Sequence, residues 1–243
     1  MDRALTRAVI DAIHELQDYA LPIHRRSRLP YAKLTGASSE MIVGGRRNPA
    51  CWAAPIDLTC VATTPRCGTA ITPMHVVAAL HYPLAVGQVV KFLTMNSEEV
   101  SRTVTKTLRV EQTDIQVSVL DQPLPPTITP ASLLPPTATE AGHPWVLWRS
   151  QNNCVYRGSW TSRGAGRVGV SPAQEPGWRN RTAEVAVGDS GSPVLMVLPR
   201  RRAPIALTCW TLRGQGPDLA HYATAITRLT VMNGFEHPQI AEV

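Results

Sequence analysis

From residue 42 onward the chain is a succession of short apolar or alternating runs, each closed by turn residues, and no long helical pattern interrupts them. The runs at 55–62, 69–72, 88–94, 101–110 and 114–120 precede a proline-rich stretch; those at 144–148, 155–162, 182–187, 193–198 and 205–210 follow it. Alternation at a period of two turns apolar side chains to one face of a strand. Many short, turn-bounded strands bury those faces by closing into barrels or sandwiches. The 21 prolines and 16 glycines follow no fixed period, as such a fold requires of its turns. Pro123, Pro125, Pro126, Pro130, Pro135 and Pro136 cluster where two such units would be joined. The expected architecture is all-β, with a first barrel over 42–121, a connector over 122–142 and a second barrel over 143–243. A short helix is expected over 224–233. With 243 residues, 44% of them apolar, the chain can bury a sizeable core.

Residues 1–41 have a different character. Leu5, Val9, Ile10, Ile13, Leu16 and Ala20 recur at helical spacing over residues 2–20, and Pro22 and Pro30 end the pattern. Residues 23–41 read as a basic connector. Asp2, Asp11, Glu15 and Asp18 break up any apolar run, so no secretory leader is expected. No stretch approaches the roughly eighteen apolar residues of a membrane span.

The net charge is +6, carried mostly by arginine, since Lys33, Lys91 and Lys106 are the only lysines. The basic clusters at 24–28 and 200–202 are short and not interleaved with aromatics, which argues against a nucleic-acid partner. The five cysteines are Cys51, Cys60, Cys67, Cys154 and Cys209. An odd count leaves one unpaired, and the absence of a Cys-x-x-Cys pair argues against structural zinc. The expectation is a cytoplasmic protein with free thiols, no metal and no cofactor.

The strongest local signal is Gly188-Asp189-Ser190-Gly191-Ser192-Pro193. A nucleophilic serine needs a tight turn that projects its hydroxyl and gathers backbone N–H groups beside it, and flanking glycines permit that turn. The motif resembles the Gly-Asp-Ser-Gly-Gly-Pro loop of the trypsin/chymotrypsin-like serine peptidases. Upstream, Cys67-Gly-Thr-Ala-Ile-Thr-Pro-Met-His-Val-Val-Ala-Ala-Leu-His81 resembles the family segment that ends on the catalytic histidine. His81 fits in nearly gapless register from Cys67. His75 is the rival, because Thr72-Pro-Met-His-Val-Val resembles the looser ending of bacterial members; its other reading is a strand residue near the surface. Thr113-Asp114-Ile-Gln-Val-Ser-Val-Leu120 resembles the strand headed by the family's aspartate.

This resemblance implies a trypsin-like double barrel of two six-stranded antiparallel units, with residues 1–41 as an N-terminal helical extension or propeptide. It implies an endopeptidase in which Ser190 forms an acyl-enzyme, His81 is the general base and Asp114 orients it. The N–H groups of Gly188 and Ser190 would form the oxyanion hole. Glu184, Cys209, Trp210, Thr211 and Ala220 fall at substrate-pocket positions, with Glu184 suggesting Arg or Lys before the cut. Ile42-Val-Gly-Gly45 resembles the family's mature N-terminus, which after cleavage would pair with Asp189; an activating protease is then a partner beside the peptide or protein substrate. Tyr82 stands where the family has a cysteine, and Ser192 where it has a glycine. The competing function is a catalytically idle relative that binds peptides or partners.

Overall fold

A computed structural model describes residues 39–54, 56–135, 145–149, 152–172, 188–196, 204–209, 214–233 and 238–240. The helix expected over 2–20, most of the basic connector and the strand expected over 182–187 lie outside these residues.

The described chain is all-β apart from one helix. After a small hairpin of β1 (Ile42–Val43) and β2 (Arg46–Arg47) come β3 (Thr69–Thr72), β4 (His75–Ala79), β5 (Val89–Leu93), β6 (Glu99–Arg109) and β7 (Ile115–Leu120). The last five form an antiparallel sheet in the order β3-β4-β7-β6-β5. All six residues of β7 are buried, as suits a strand with neighbours on both edges. The 11-residue β6 pairs with β5 through its first half and with β7 through its second, and its register shifts between Val104 and Lys106. Such a bulge bends a strand, and here it lets one strand turn a corner of a curled sheet. Phe92, Ile71, Leu84, Ile115 and Leu120 fill the interior.

A seven-stranded sheet follows, from β8 (Ser132–Leu133), β9 (Trp145–Arg149), β10 (Val155–Gly164), β11 (Arg167–Pro172), β12 (Pro193–Met196), β13 (Ile205–Cys209) and β14 (Gln215–Pro217). Its order is β14-β11-β10-β9-β12-β13-β8, antiparallel except for β13 against β8. Helix α1 (Ala223–Val231) closes the sequence of elements and buries Ala223, Ile226 and Thr230. Among the described residues no helix is long and apolar enough to cross a membrane.

Three local readings of the sequence differ from the structure. Of the run expected over 55–62, residues 56–62 make an isolated bridge, Val61 to Thr69, and no longer strand. There the Asp57 carboxylate accepts from the Thr59 N–H at 3.0 Å and the Thr59 hydroxyl at 2.7 Å, a side-chain turn that competes with a strand. The strands β11 and β14 were not expected. β10 turns into β11 through Ala165 (φ 50°) and Gly166 (φ 73°), two left-handed residues of the kind that close tight hairpins. The proline-rich stretch is more than a spacer: it contributes β8, buries Leu124, Ile128 and Leu133, and ties Ala131 N–H to the Ala70 carbonyl at 2.8 Å.

The chain preceding β1 is built into the second sheet's side. The Val155 N–H donates to the Ser39 carbonyl and the Met41 N–H to the Asn153 carbonyl, both at 2.8 Å. The indole N–H of buried Trp52 reaches the Val155 carbonyl at 3.0 Å.

Candidate active site

Antiparallel pairing of β4 with β7 opposes Ala79 to Ile115, so the residue pair leaving β4 meets the residue entering β7. Leu80 N–H donates to the Asp114 carbonyl at 2.9 Å. One residue on, the Asp114 carboxylate grips His81 twice: Oδ1 accepts the His81 backbone N–H at 2.8 Å, and Oδ2 lies 2.6 Å from the imidazole Nδ1. An ionised carboxylate only accepts, so this contact assigns the ring proton to Nδ1 and leaves Nε2 bare. That bare nitrogen lies 2.8 Å from Ser190 Oγ. The imidazole is 44% exposed and the carboxylate 31%, so the histidine is open to solvent.

Ser190 stands in the turn that enters β12. Gly188 (φ 104°) and Gly191 (φ 81°) flank the turn in left-handed conformations, and the Ser192 N–H closes it on the Asp189 carbonyl at 2.9 Å. Gly191 is required for a second reason: a Cβ there would meet the Cys67 carbonyl oxygen at 2.9 Å. The serine turn thus rests directly on the chain that enters β3. Among the described residues, neither the Gly188 nor the Ser190 N–H has an acceptor.

His75 lies elsewhere. It is a fully buried residue of β4, not a surface strand residue, with Nδ1 2.8 Å from the Thr72 hydroxyl. Burial pushes its pKa down to about 4, so it is neutral near pH 7.

Asp189 is 6% exposed. Burial, the adjacent Cys154 thiol and the Asp189 charge push the Tyr156 phenol up to about 12. Ile42 is half-buried in β1, and Met41 before it is 4% exposed. Of the residues expected around a substrate pocket, Cys209 ends β13, buried and opposite Pro193. Burial and then the charge of Asp114 push its thiol up to about 12. Ala220 is buried in the turn between β14 and α1, its N–H donating to Asp218 Oδ1 at 3.0 Å. Glu184, Trp210 and Thr211 lie outside the described residues.

Sequence reasoning missed several neighbours of this site. Gly216 in β14 packs so closely on Thr208 and Cys209 that a Cβ would collide with both; Gly214-Gln-Gly216-Pro217 was the available signal. Arg163 of β10 forms a buried ion pair with Asp218, which anchors the turn holding Ala220. A cleft of about 590 Å³ opens beside His81, lined also by Arg109, Gln112, Arg167, Gly216 and Tyr222. None of the five cysteines is joined in a disulfide. Among the described residues, no three His, Cys, Asp or Glu side chains converge as a metal centre would require.

No protein-family model matches this chain, and no curated protein matches its sequence.

Proposed function

We propose that the chain is a serine endopeptidase of the trypsin-like class, its two sheets corresponding to that class's two barrels. The observation that carries this reading is the position of His81, with Nδ1 2.6 Å from Asp114 and Nε2 2.8 Å from Ser190. In the proposed reaction His81 Nε2 takes the Ser190 proton while Oγ attacks the scissile carbonyl carbon. The N–H groups of Gly188 and Ser190 donate hydrogen bonds to the developing oxyanion. The tetrahedral species collapses, the peptide C–N bond breaks, and the leaving amine takes the proton from His81. Water then repeats the sequence on the acyl-enzyme, releasing the acid and restoring Ser190. Asp114 holds the ring tautomer and stabilises the imidazolium. An idle binding protein has no use for a bare imidazole nitrogen aimed at a serine hydroxyl.

The test is covalent labelling of the full chain with a fluorophosphonate, read by intact mass and by peptide mapping to Ser190. Labelling should disappear in Ser190→Ala and fall by several orders of magnitude in His81→Ala. Undiminished labelling in Ser190→Ala would remove the assignment.

Two narrower proposals accompany this one. A preference for Arg or Lys before the cut rests on Glu184, and Glu184→Gln should abolish it. Activation by cleavage before Ile42 rests on the Ile42-Val-Gly-Gly45 motif and on the burial of Asp189. It requires Ser39–Met41 to leave their bonds to Asn153 and Val155 first. Comparing the intact chain with one whose first residue is Ile42 tests it.

A further inference from the structure

The cleft beside His81 has two walls, and each presents one arginine. Arg109 is the last residue of β6, on the wall that also carries Gln112 and Asp114; Arg167 is the first residue of β11, on the wall that also carries Gly216. Both arginines are exposed. Among the described residues, neither guanidinium has a hydrogen-bond or ion-pair partner. The sole carboxylate lining the cleft among those residues is Asp114, and both of its oxygens are already engaged by His81. Among the described residues, two arginines against one carboxylate therefore leave a net positive concave surface that begins at the reacting histidine. Concave surfaces concentrate the field of such charges. The volume suits a few residues of an extended chain, within the roughly 300–1,000 Å³ of ordinary ligand clefts.

We infer that this cleft receives acidic side chains of the substrate, an Asp or Glu within a few residues of the bond that is cut, with Arg109 and Arg167 as the residues that select them. The inference rests on the peptidase reading and adds a substrate class to it. Carboxylates match guanidinium geometry and charge. A nucleic-acid strand would also meet the charge, but Tyr222 is the one Phe, Tyr or Trp among the described lining residues, too little for successive base stacking.

The experiment uses the full chain and a position-scanned peptide library in which each position carries Glu or Gln. At low salt at least one position should show a kcat/KM ratio, Glu over Gln, of roughly three to five per arginine engaged. That ratio should shrink towards one near 0.5 M salt, where screening is strong, the Debye length there being only about 4 Å. It should shrink likewise in Arg109→Gln and Arg167→Gln, and invert in the double Glu variant. A ratio of one at every position, or one that both Gln variants leave untouched, overturns the inference. A second arm uses Ser190→Ala and fluorescence anisotropy of a labelled acidic peptide. If no peptide is cleaved yet binding there depends on both arginines, the peptidase reading fails and the acidic-peptide cleft stands. Displacement of that peptide by a single-stranded oligonucleotide at lower concentration than by unlabelled peptide overturns the cleft assignment in favour of nucleic acid.

Discussion

His81 Nε2 lies 2.8 Å from Ser190 Oγ, although 109 residues of chain separate them and they flank strands of different sheets. That contact depends on the ring tautomer, and the tautomer depends on Asp114.

Asp114→Asn should preserve the fold and cost about 10⁴ in kcat. An amide can donate to Nδ1, which moves the proton to Nε2 and leaves nothing to accept from Ser190. The loss should fall on kcat and kcat/KM together rather than on KM. Steady-state kinetics on one peptide decide it, and a loss under tenfold removes Asp114 from this role.

Gly191→Ala should destabilise the chain by about 1–3 kcal/mol and depress activity further than that cost explains. The new Cβ meets the Cys67 carbonyl oxygen at 2.9 Å on a residue with φ 81°, so the serine turn must move. Gly87→Ala is the control: φ is 83°, but nothing lies within 4 Å, so the cost should be about 1 kcal/mol with activity kept. Denaturant midpoints and fluorophosphonate labelling rates separate the two effects.

The buried His75 predicts a slope of stability with pH. Its folded pKa is lowered to about 4, whereas the unfolded chain takes the proton near 6.5. Between these values the unfolded state binds more protons, so stability is complete above about pH 6.5 and falls as pH drops to 4. The fall attributable to this residue is about 3 kcal/mol. His75→Gln, measured by urea unfolding at several pH values, should flatten the curve in that window. Parallel curves for the two proteins would refute it.

Arg163 and Asp218 are 9% and 5% exposed in their side chains, so neither charge has water to fall back on. Removing one partner, as in Asp218→Asn or Arg163→Met, should cost about 3–5 kcal/mol. Replacing both with apolar residues should recover much of that loss. The same variants should loosen Ala220, whose N–H bonds to Asp218, and so raise KM.

Four strands of the first sheet, β3, β5, β6 and β7, were legible in advance as short runs closed by their own turn residues, whereas β4 was legible only as a strand position for His75. The segments that hid were those whose character comes from a partner. β8 has two residues inside a proline-rich stretch and exists because β13 lies beside it. β14, with a glycine between Gln215 and Pro217, has no apolar alternation to read. Among site residues, His81, Asp114 and Ser190 were legible because each sits in a distinctive local string. Arg109 and Arg167 were not, since each is one of many arginines and only the meeting of the two sheets puts them in one cleft. The burial of His75 was also out of reach, because its partner in the sheet, Val119 of β7, lies far along the chain.

The bonding of Ser39–Met41 to Asn153–Val155 has a kinetic consequence. A peptidase must thread several extended residues through its own cleft, and Met41 has its N–H on Asn153, its carbonyl on the Asn48 N–H and its side chain buried. Attack on the Met41–Ile42 bond therefore waits for this segment to peel away. At limiting attacking protease its rate would report the equilibrium population of the peeled form, and at saturating protease the rate of peeling itself. The susceptibility of that one bond becomes a clock for local opening at the seam between the two sheets.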